Sequence, residues 1–273
     1  MSLHRITSLS RTLSEWAGRA GNEKFLRHDQ EARLAESLGD PQRRTHVQVA
    51  AWMLGTWHLG HGMAQVLQGE VRGFDAARTG QALRRCSLLL RERHRPPQRR
   101  GAPSSLPFSV LHGAWTSLLA MALEDPGAED LHELLRSQPD ATFGEDDHLA
   151  LFTRELLNLR AGQRALITPR LGPYEPVLLA WTGEGRVLAQ RLADVLDLHL
   201  DQARGAGRPF EDPACQLYPV EVIAVQKVRA WLGLPCPKVD HPLMFTNLAT
   251  MQPTGGWPAN DLVARLEREL RGR

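Results

Sequence analysis

Two histidines, His58 and His61 in the segment WHLGHG, are spaced to share one face of a helix and could bind a metal ion. Imidazole is a common zinc ligand, and residues three apart are neighbours on a helix. No third ligand stands nearby, and no Glu lies between the histidines as it does in the HExxH motif. We therefore predict no metal site, and we interpret Gly60 and Gly62 as marks of a close helix crossing.

The acidic run Glu145-Asp146-Asp147 could supply a carboxylate pair for acid–base catalysis or for metal binding. Capping is a simpler explanation, because acids at the start of a helix are favoured by the positive end of its dipole. A third interpretation is a surface that binds a protein partner. We predict no catalytic role, and we keep Glu145, Asp146 and Asp147 as candidate partner-binding residues.

The remaining patterns of reactive residues also fail to mark an enzyme. The glycine-rich stretches GTWHLGHG and WTGEGR do not end in GK[ST], and no GxSxG occurs. Cys86, Cys215 and Cys236 are far apart and form no CxxC, which excludes a disulfide framework and a cysteine zinc site. We predict inert thiols, no catalytic residue, no cofactor and no enzymatic activity.

Charge is distributed unevenly along the chain. Residues 1–104 contain 17 Arg/Lys against 9 Asp/Glu, a net +8, whereas residues 105–273 contain 16 against 22, a net −6. An acidic second half could attract a basic partner and speed its association. We therefore expect the second half to supply most of any partner contact.

The basic charge peaks in residues 78–100, which contain eight arginines. Such a run could bind nucleic acid electrostatically, but no aromatic residue lies between Phe74 and Phe108 to stack on bases. We predict that nucleic acid is not a partner, and we interpret the run as a solvated helix face followed by a basic loop.

Seven tryptophans are present, and six of them fall on helical periods, which predicts core packing: Trp16, Trp52, Trp57, Trp115, Trp181 and Trp231. Trp257 lies instead in the loop TGGWP. It could anchor an interface, although packing against the last helix is the simpler interpretation.

Helical periodicity dominates the sequence, and strand signals are nearly absent. Helices are predicted at 46–68, 74–95, 107–123, 128–135, 148–159, 174–181, 186–202, 217–232 and 259–270. A Pro- and Arg-rich linker at 95–106 separates an N-terminal helical region, 1–104, from a C-terminal one, 105–273, which we expect to pack as one globular unit.

Paired helices joined by short turns predict an all-α fold with more than half of the residues in helix. Stacked antiparallel pairs would form an α-solenoid-like array or an irregular helical bundle. No 34-residue repeat is visible, so a tetratricopeptide array is not supported. The first residues lack a signal-peptide pattern and no apolar run approaches ~20 residues, from which we expect a cytoplasmic protein without a membrane partner.

Two stretches in the second half of the chain form a recognisable combination. Residues 192–202, LADVLDLHLDQ, follow a short turn and precede a polar loop. Residues 218–244, YPVEVIAVQKVRAWLGLPCPKVDHPLM, read as a helix bearing Ala224 that ends in a Gly-Leu-Pro step, followed by an extended piece. Over residues 174–248 this pairing resembles the immunity protein 49 family of bacterial polymorphic-toxin systems. The chain differs from that pattern at Asp240-His241 and in the TGGWP loop.

The resemblance implies an antitoxin that binds and blocks a cognate secreted protein toxin, with no catalytic residue and no cofactor. The same segments are also similar to a second helical immunity family, paired with DNase toxins, so the toxin could be a nuclease. Asp240, His241 and Trp257 join the acidic run as candidate partner-binding residues. A helical scaffold or regulatory adaptor with another protein partner remains the alternative.

Overall fold

The computed structural model describes residues 2–94, 107–203 and 209–272. In these ranges 72% of the residues are helical and no strand occurs, which confirms the predicted all-α fold. The predicted linker at 95–106, with Arg95, Arg99 and Arg100, lies outside them. The α-helical segments are α1 (Ser2–Ala17), α2 (Ala20–Asn22), α3 (Asp29–Ser37), α4 (Arg44–Leu67), α5 (Gly73–Arg93), α6 (Pro107–Leu123), α7 (Glu129–Arg136), α8 (His148–Arg160), α9 (Glu175–Leu179), α10 (Gly185–Gln202), α11 (Val220–Trp231), α12 (Asn247–Thr250) and α13 (Asp261–Arg271).

Several short irregular helices connect these segments. A six-residue π-helix, Glu23–His28, joins α2 to α3 without a break and packs against α4. The 3-10 helices are Pro41–Arg43, Asp140–Thr142, Pro169–Tyr174 and Pro242–Phe245.

The long helices α4 and α5 form an antiparallel pair that meets through glycines. Gly55 faces Gly80, and Gly62 faces Gly73, so each helix places two glycines seven residues apart in the contact. A Cβ on Gly80 would lie 2.6 Å from both the Gly55 carbonyl oxygen and the Leu59 nitrogen. Only a hydrogen at these positions lets the two backbones approach so closely. The close crossing expected at Gly62 is confirmed, whereas Gly60 faces Trp16 of α1.

We expect Gly80→Ala to lower the free energy of unfolding by about 1–3 kcal/mol, because an added methyl group must push two backbones apart. Urea unfolding followed by circular dichroism measures this loss. Gly113→Ala is a suitable control, since a Cβ at that position in α6 meets nothing within 4 Å. A variant Gly80→Ala as stable as wild type would contradict the close backbone contact.

Helix α5 is buried along most of its length, and this corrects the interpretation of its arginines as a solvated face. Arg78, Arg84 and Arg85 are only 6%, 2% and 4% exposed. The Arg84 guanidinium lies over the rings of Trp52 and Trp115 and pairs with Asp212. The sequence pattern could not reveal this burial, because the partners come from distant segments.

Arg85 and Arg78 tie α5 to later parts of the chain. Arg85 Nε donates to Asp125 Oδ2 at 2.9 Å, and its Nη2 donates to Glu267 Oε1 of α13 at 2.8 Å. Arg78 Nη1 donates to the Gly255 and Gly256 carbonyl oxygens at 3.4 and 3.3 Å. Buried guanidinium groups require such partners, because an unpaired buried charge is costly.

The hydrophobic core joins segments that are far apart in sequence. One cluster of buried side chains extends from Ile6 of α1 to Leu248 of α12 and includes residues of both predicted regions. A second cluster packs α3, α4 and α5 against Val263 and Leu266 of α13. In a solenoid each repeat contacts only its sequence neighbours, so these long-range contacts favour the irregular bundle. Within the described ranges, no helix combines the length and apolar character needed to cross a bilayer.

Candidate partner-binding surface

The segment 124–147 forms the most acidic part of the molecule. It contains nine of the 31 acidic residues and a single arginine, Arg136. Eight of the nine acids reach solvent, whereas Asp125 is buried against Arg85. Acid density of this kind on one short segment creates a local negative potential. We call the eight accessible acids the acidic face: Glu124, Glu129, Asp130, Glu133, Asp140, Glu145, Asp146 and Asp147.

Two ion pairs show how the acidic face lies along α8. Arg160, at the end of α8, pairs with Glu129 at 3.6 Å, and Arg154 pairs with Asp140 at 2.6 Å. Residues 145–147 form the turn at the beginning of the same helix. Since α8 has 13 residues and rises 1.5 Å per residue, the acidic face spans about 20 Å.

Part of the acidic face is neutralised locally. Glu124 pairs with Lys227 at 3.1 Å, and Glu133 pairs with Arg136 at 3.3 Å. The hydrogen bond from Arg154 lowers the pKa of Asp140 below its ordinary value. Asp130, Glu145 and Asp146 are exposed and have no ion pair among the residues that the structure describes. These three carboxylates are therefore available to a partner.

The turn before α8 differs from the capping interpretation in one respect. Asp147 is the N-cap residue, but its carboxylate accepts from the Gly144 amide at 2.7 Å and not from an amide of α8. Glu145 and Asp146 project from the turn and precede the first helical residue. Asp147 therefore shapes the turn, while Glu145 and Asp146 provide the exposed charge.

The other candidate partner-binding residues lie on separate elements. Asp240 is exposed, but His241 is only 5% exposed. His241 Nδ1 accepts from the Leu243 amide at 3.2 Å, and its Nε2 faces Asp197 of α10 at 3.4 Å. Such burial leaves His241 little area for a partner and gives it the role of holding the 3-10 helix that follows.

Trp257 is half-buried and packs against both hydrophobic clusters. The Arg78 guanidinium lies over its ring at 5.4 Å. The second cluster includes Val263 and Leu266, so Trp257 packs beside the last helix, as the simpler interpretation expected. Its contacts explain why the TGGWP loop is held against α5, and they leave only part of the ring for a partner.

A different tryptophan, Trp231, reaches solvent beside the acidic face. It is 44% exposed at the end of α11, so the prediction of a core position is wrong for this residue. Helical periodicity placed it on an apolar stripe, but the helix ends at that residue and its ring lies past the core. The sequence signal that could have shown this is the following Leu-Gly-Leu-Pro step, which marks a helix end.

A cavity of about 230 Å³ lies between Trp231 and the segment that joins α6 to α7. Its wall includes Glu124, Asp125, His132 and Arg160. The Arg160 guanidinium lies 4.9 Å from the centre of the Trp231 ring and donates to His132 Nδ1. Burial and the adjacent Arg160 lower the pKa of His132 to about 3, so its imidazole is neutral. Glu124 is the one non-glycine residue with positive φ, 58°, in the part of the chain that the structure describes.

The most enclosed polar cluster lies elsewhere, between α10 and α11. His199 Nδ1 faces Glu221 Oε2 at 2.8 Å, and its Nε2 faces the Gln216 carbonyl oxygen at 3.1 Å. Both ring nitrogens of His199 therefore have a hydrogen-bonding partner inside the core. His199 and Glu221 are fully buried, and the hydroxyl of Tyr174 has its pKa raised by burial and by Glu221. Without solvent access this cluster stabilises the core and offers no substrate site.

The histidines considered as metal ligands pack against an aromatic ring, and two of the three cysteines are buried. The His61 ring stacks on Trp57 at 4.7 Å, and His58 meets the same ring edge-on. No group of three or more potential metal ligands occurs among the described residues. Burial raises the pKa of Cys86 to about 12 and that of Cys215 well above its ordinary value, which makes both thiols poor nucleophiles.

The fold and this surface define an all-α bundle with an extended acidic face and an exposed tryptophan at one end. Comparisons with family models, with curated proteins and with solved structures found no match for this chain.

Proposed function

We propose that this chain is a toxin-neutralising immunity protein that acts in the cytoplasm by binding the basic surface of a cognate toxin. The observation that supports this proposal best is the acidic face, which extends about 20 Å along α8. Among the described residues, its Asp130, Glu145 and Asp146 have no ion pair. The likeness of residues 174–248 to immunity proteins supports the same role.

The acidic face would act by occupying a cleft that is built for negative charge. A toxin that cleaves nucleic acid carries basic side chains that bind phosphates, and carboxylates can take the place of those phosphates. Opposite charges steer the encounter and raise the association rate, while a specific interface of roughly 1,200–2,000 Å² retains the complex. Inhibition then follows from occlusion, with no catalytic step in the immunity protein.

Growth rescue tests the role directly. The product of the adjacent reading frame, which the proposal expects to be the toxin, is expressed in a bacterial host with and without this chain, and we expect the host to grow only when this chain is present. A neighbouring product that does not inhibit growth, or that inhibits equally in both cases, contradicts the proposal. A scaffold or adaptor would give the second result.

Charge reversal tests the surface. We expect Asp130→Lys, Glu145→Lys and Asp146→Lys together to slow association with the toxin domain by at least about tenfold at low salt and to flatten its salt dependence. Asp147 is left unchanged because it holds the turn. Stopped-flow fluorescence measures the association rate.

The matched control reverses Glu15, Glu36 and Glu184, which are exposed on other elements and change the net charge equally. If this control slows association as much as the reversal on the acidic face does, only net charge matters and the surface assignment is wrong.

A further inference from the structure

We infer that Trp231 and Leu232 form the apolar anchor of this interface, and that the partner is a protein whose apolar cleft is rimmed by Lys or Arg. The inference rests on the proposed function and adds to it the residues that retain the complex. Trp231 is 44% exposed and Leu232 is 38% exposed. Tryptophan is enriched among the few residues that supply most of the binding energy of protein interfaces.

The end of α11 presents these two side chains in a defined conformation. The Leu234 amide donates to the Arg229 carbonyl oxygen at 2.8 Å, and the Gly233 amide donates to the Ala230 carbonyl oxygen at 3.0 Å. Gly233 has a φ of +68°. This pattern is the Schellman motif, in which a glycine in the left-handed region ends the helix. It stops α11 directly after Trp231 and turns the chain so that Leu232 stays at the surface.

The buried side chain of Arg229 holds the end of α11 and the residues after it in place. Its Nε donates to the Pro235 carbonyl oxygen at 2.9 Å, and its Nη1 donates to the Trp181 carbonyl oxygen. Its guanidinium also lies 5.2 Å from the centre of the Trp181 ring. Arg229 is 3% exposed, so one buried side chain joins the end of α11 to the segment after α9. A surface that is ordered before binding loses less entropy on association.

The surroundings of Trp231 indicate what kind of partner fits. Arg160 covers one part of the ring and pairs with Glu129. Glu124, which pairs with Lys227, lies across the adjoining cavity, and the unpaired Asp130 follows Glu129 in the described segment. Leu179 is 64% exposed and precedes Trp181 by two residues. Arg229 ties this segment to the end of α11 through the Trp181 carbonyl oxygen. An apolar centre beside acidic side chains complements a partner with an apolar cleft and a basic rim.

Two other possible partners, a second copy of this chain and a lipid surface, fit the surface around Trp231 less well. A second copy of this chain, related by a two-fold axis through Trp231, would bring two acidic faces together, and like charges in an interface are unfavourable. An anionic lipid surface would be repelled by the acidic face, in which Asp130, next to Glu129, has no ion pair among the described residues, since such membranes attract basic segments. The acidic surroundings therefore favour a basic protein.

Binding of the purified product of the adjacent reading frame, which the proposed function expects to be the toxin, tests the inference. We expect Trp231→Ala to weaken its affinity about 30-fold through faster dissociation, as measured by biolayer interferometry. The association rate and its salt dependence should stay close to wild type, because no charge changes. Leu232→Asp, which leaves the cavity wall intact, should also weaken binding by tenfold or more.

Phe245→Ala is the matched control, because Phe245 is an exposed aromatic residue, 59% accessible, on a different element. Circular dichroism and a thermal melt check that each variant is folded. If wild type binds and both Trp231→Ala and Leu232→Asp bind equally well, the anchor assignment is overturned while the proposed function stands. If wild type does not bind, the proposed function fails, and the anchor fails with it. A wild-type dimer that Trp231→Ala converts to monomer, with unchanged toxin affinity, would show that the occupant is a second copy.

Discussion

Replacement of Arg85 by Met is expected to lower the free energy of unfolding by about 3–5 kcal/mol, the range typical of a buried ion pair that loses one partner. The Asp125 side chain is fully buried and accepts from Arg85 Nε at 2.9 Å. After the substitution its remaining donors are the Gln81 amide at 3.4 Å and the Gly127 backbone amide at 2.9 Å. These neutral donors compensate a buried carboxylate incompletely.

A double variant separates the loss of charge compensation from the loss of packing. Arg85→Met combined with Asp125→Asn removes the uncompensated charge, and the Asn side chain can still accept from the Gly127 amide. We expect the double variant to be more stable than Arg85→Met alone in chemical denaturation. A double variant less stable than the single one would show that packing around Arg85, rather than the charge of Asp125, dominates.

Acid is expected to destabilise the protein from about pH 6.5 downward. The pKa of His132 is lowered to about 3 by burial and by Arg160, and that of His58 to about 4 by burial and by Arg27. Below the ordinary histidine pKa of about 6.5 the unfolded chain binds protons that the folded chain does not, so stability falls as pH falls. His132 alone should cost about 2 kcal/mol at pH 5, and His58 acts in the same direction.

The variant His132→Gln provides the control, because its amide oxygen can accept from Arg160 but does not titrate. We expect its stability at neutral pH to drop, and its further decline between pH 6.5 and pH 5 to be about 2 kcal/mol smaller than that of wild type. Urea unfolding at each pH measures both quantities. An unchanged decline would mean that the folded protein accommodates a charged imidazole at this position.

Helix positions could be predicted well from sequence where periodicity and helix breakers agree. Residues 148–159 and 186–202 were expected to be helical, and α8 and α10 span nearly the same residues. Although Trp16 was placed on a helical period, no helix range was assigned before residue 46, where α1 and α3 occur. The first segment is polar and buries only Ile6, Leu9 and Leu13, and the next is interrupted by a π-helix, so neither shows a wide apolar stripe.

The acidic surface could be predicted only in part, because a sequence does not show which distant segments meet. The run 145–147 is conspicuous, whereas Asp130 joins the same surface only because Arg160 and Arg154 fasten the α7 segment along α8. The burial of Arg84 and Arg85 depends on Asp212 and Glu267, which follow more than 120 residues later. From sequence alone, a run of arginines is therefore interpreted as a solvated face, because the distant residues that bury it are not known.

The hydrogen bond between Arg85 and Glu267 cannot form until α13 has been synthesised. The two residues are separated by 182 positions, so α5 leaves the ribosome long before the carboxylate that neutralises its guanidinium exists. Until α13 is made, the emerging chain must either leave α5 partly hydrated or bury an arginine that lacks one of its acceptors. Both states are less stable than the finished bundle, and contacts so distant in sequence form slowly. Helix α5 is thus synthesised long before α13 and can reach its final surroundings only after α13 has been made.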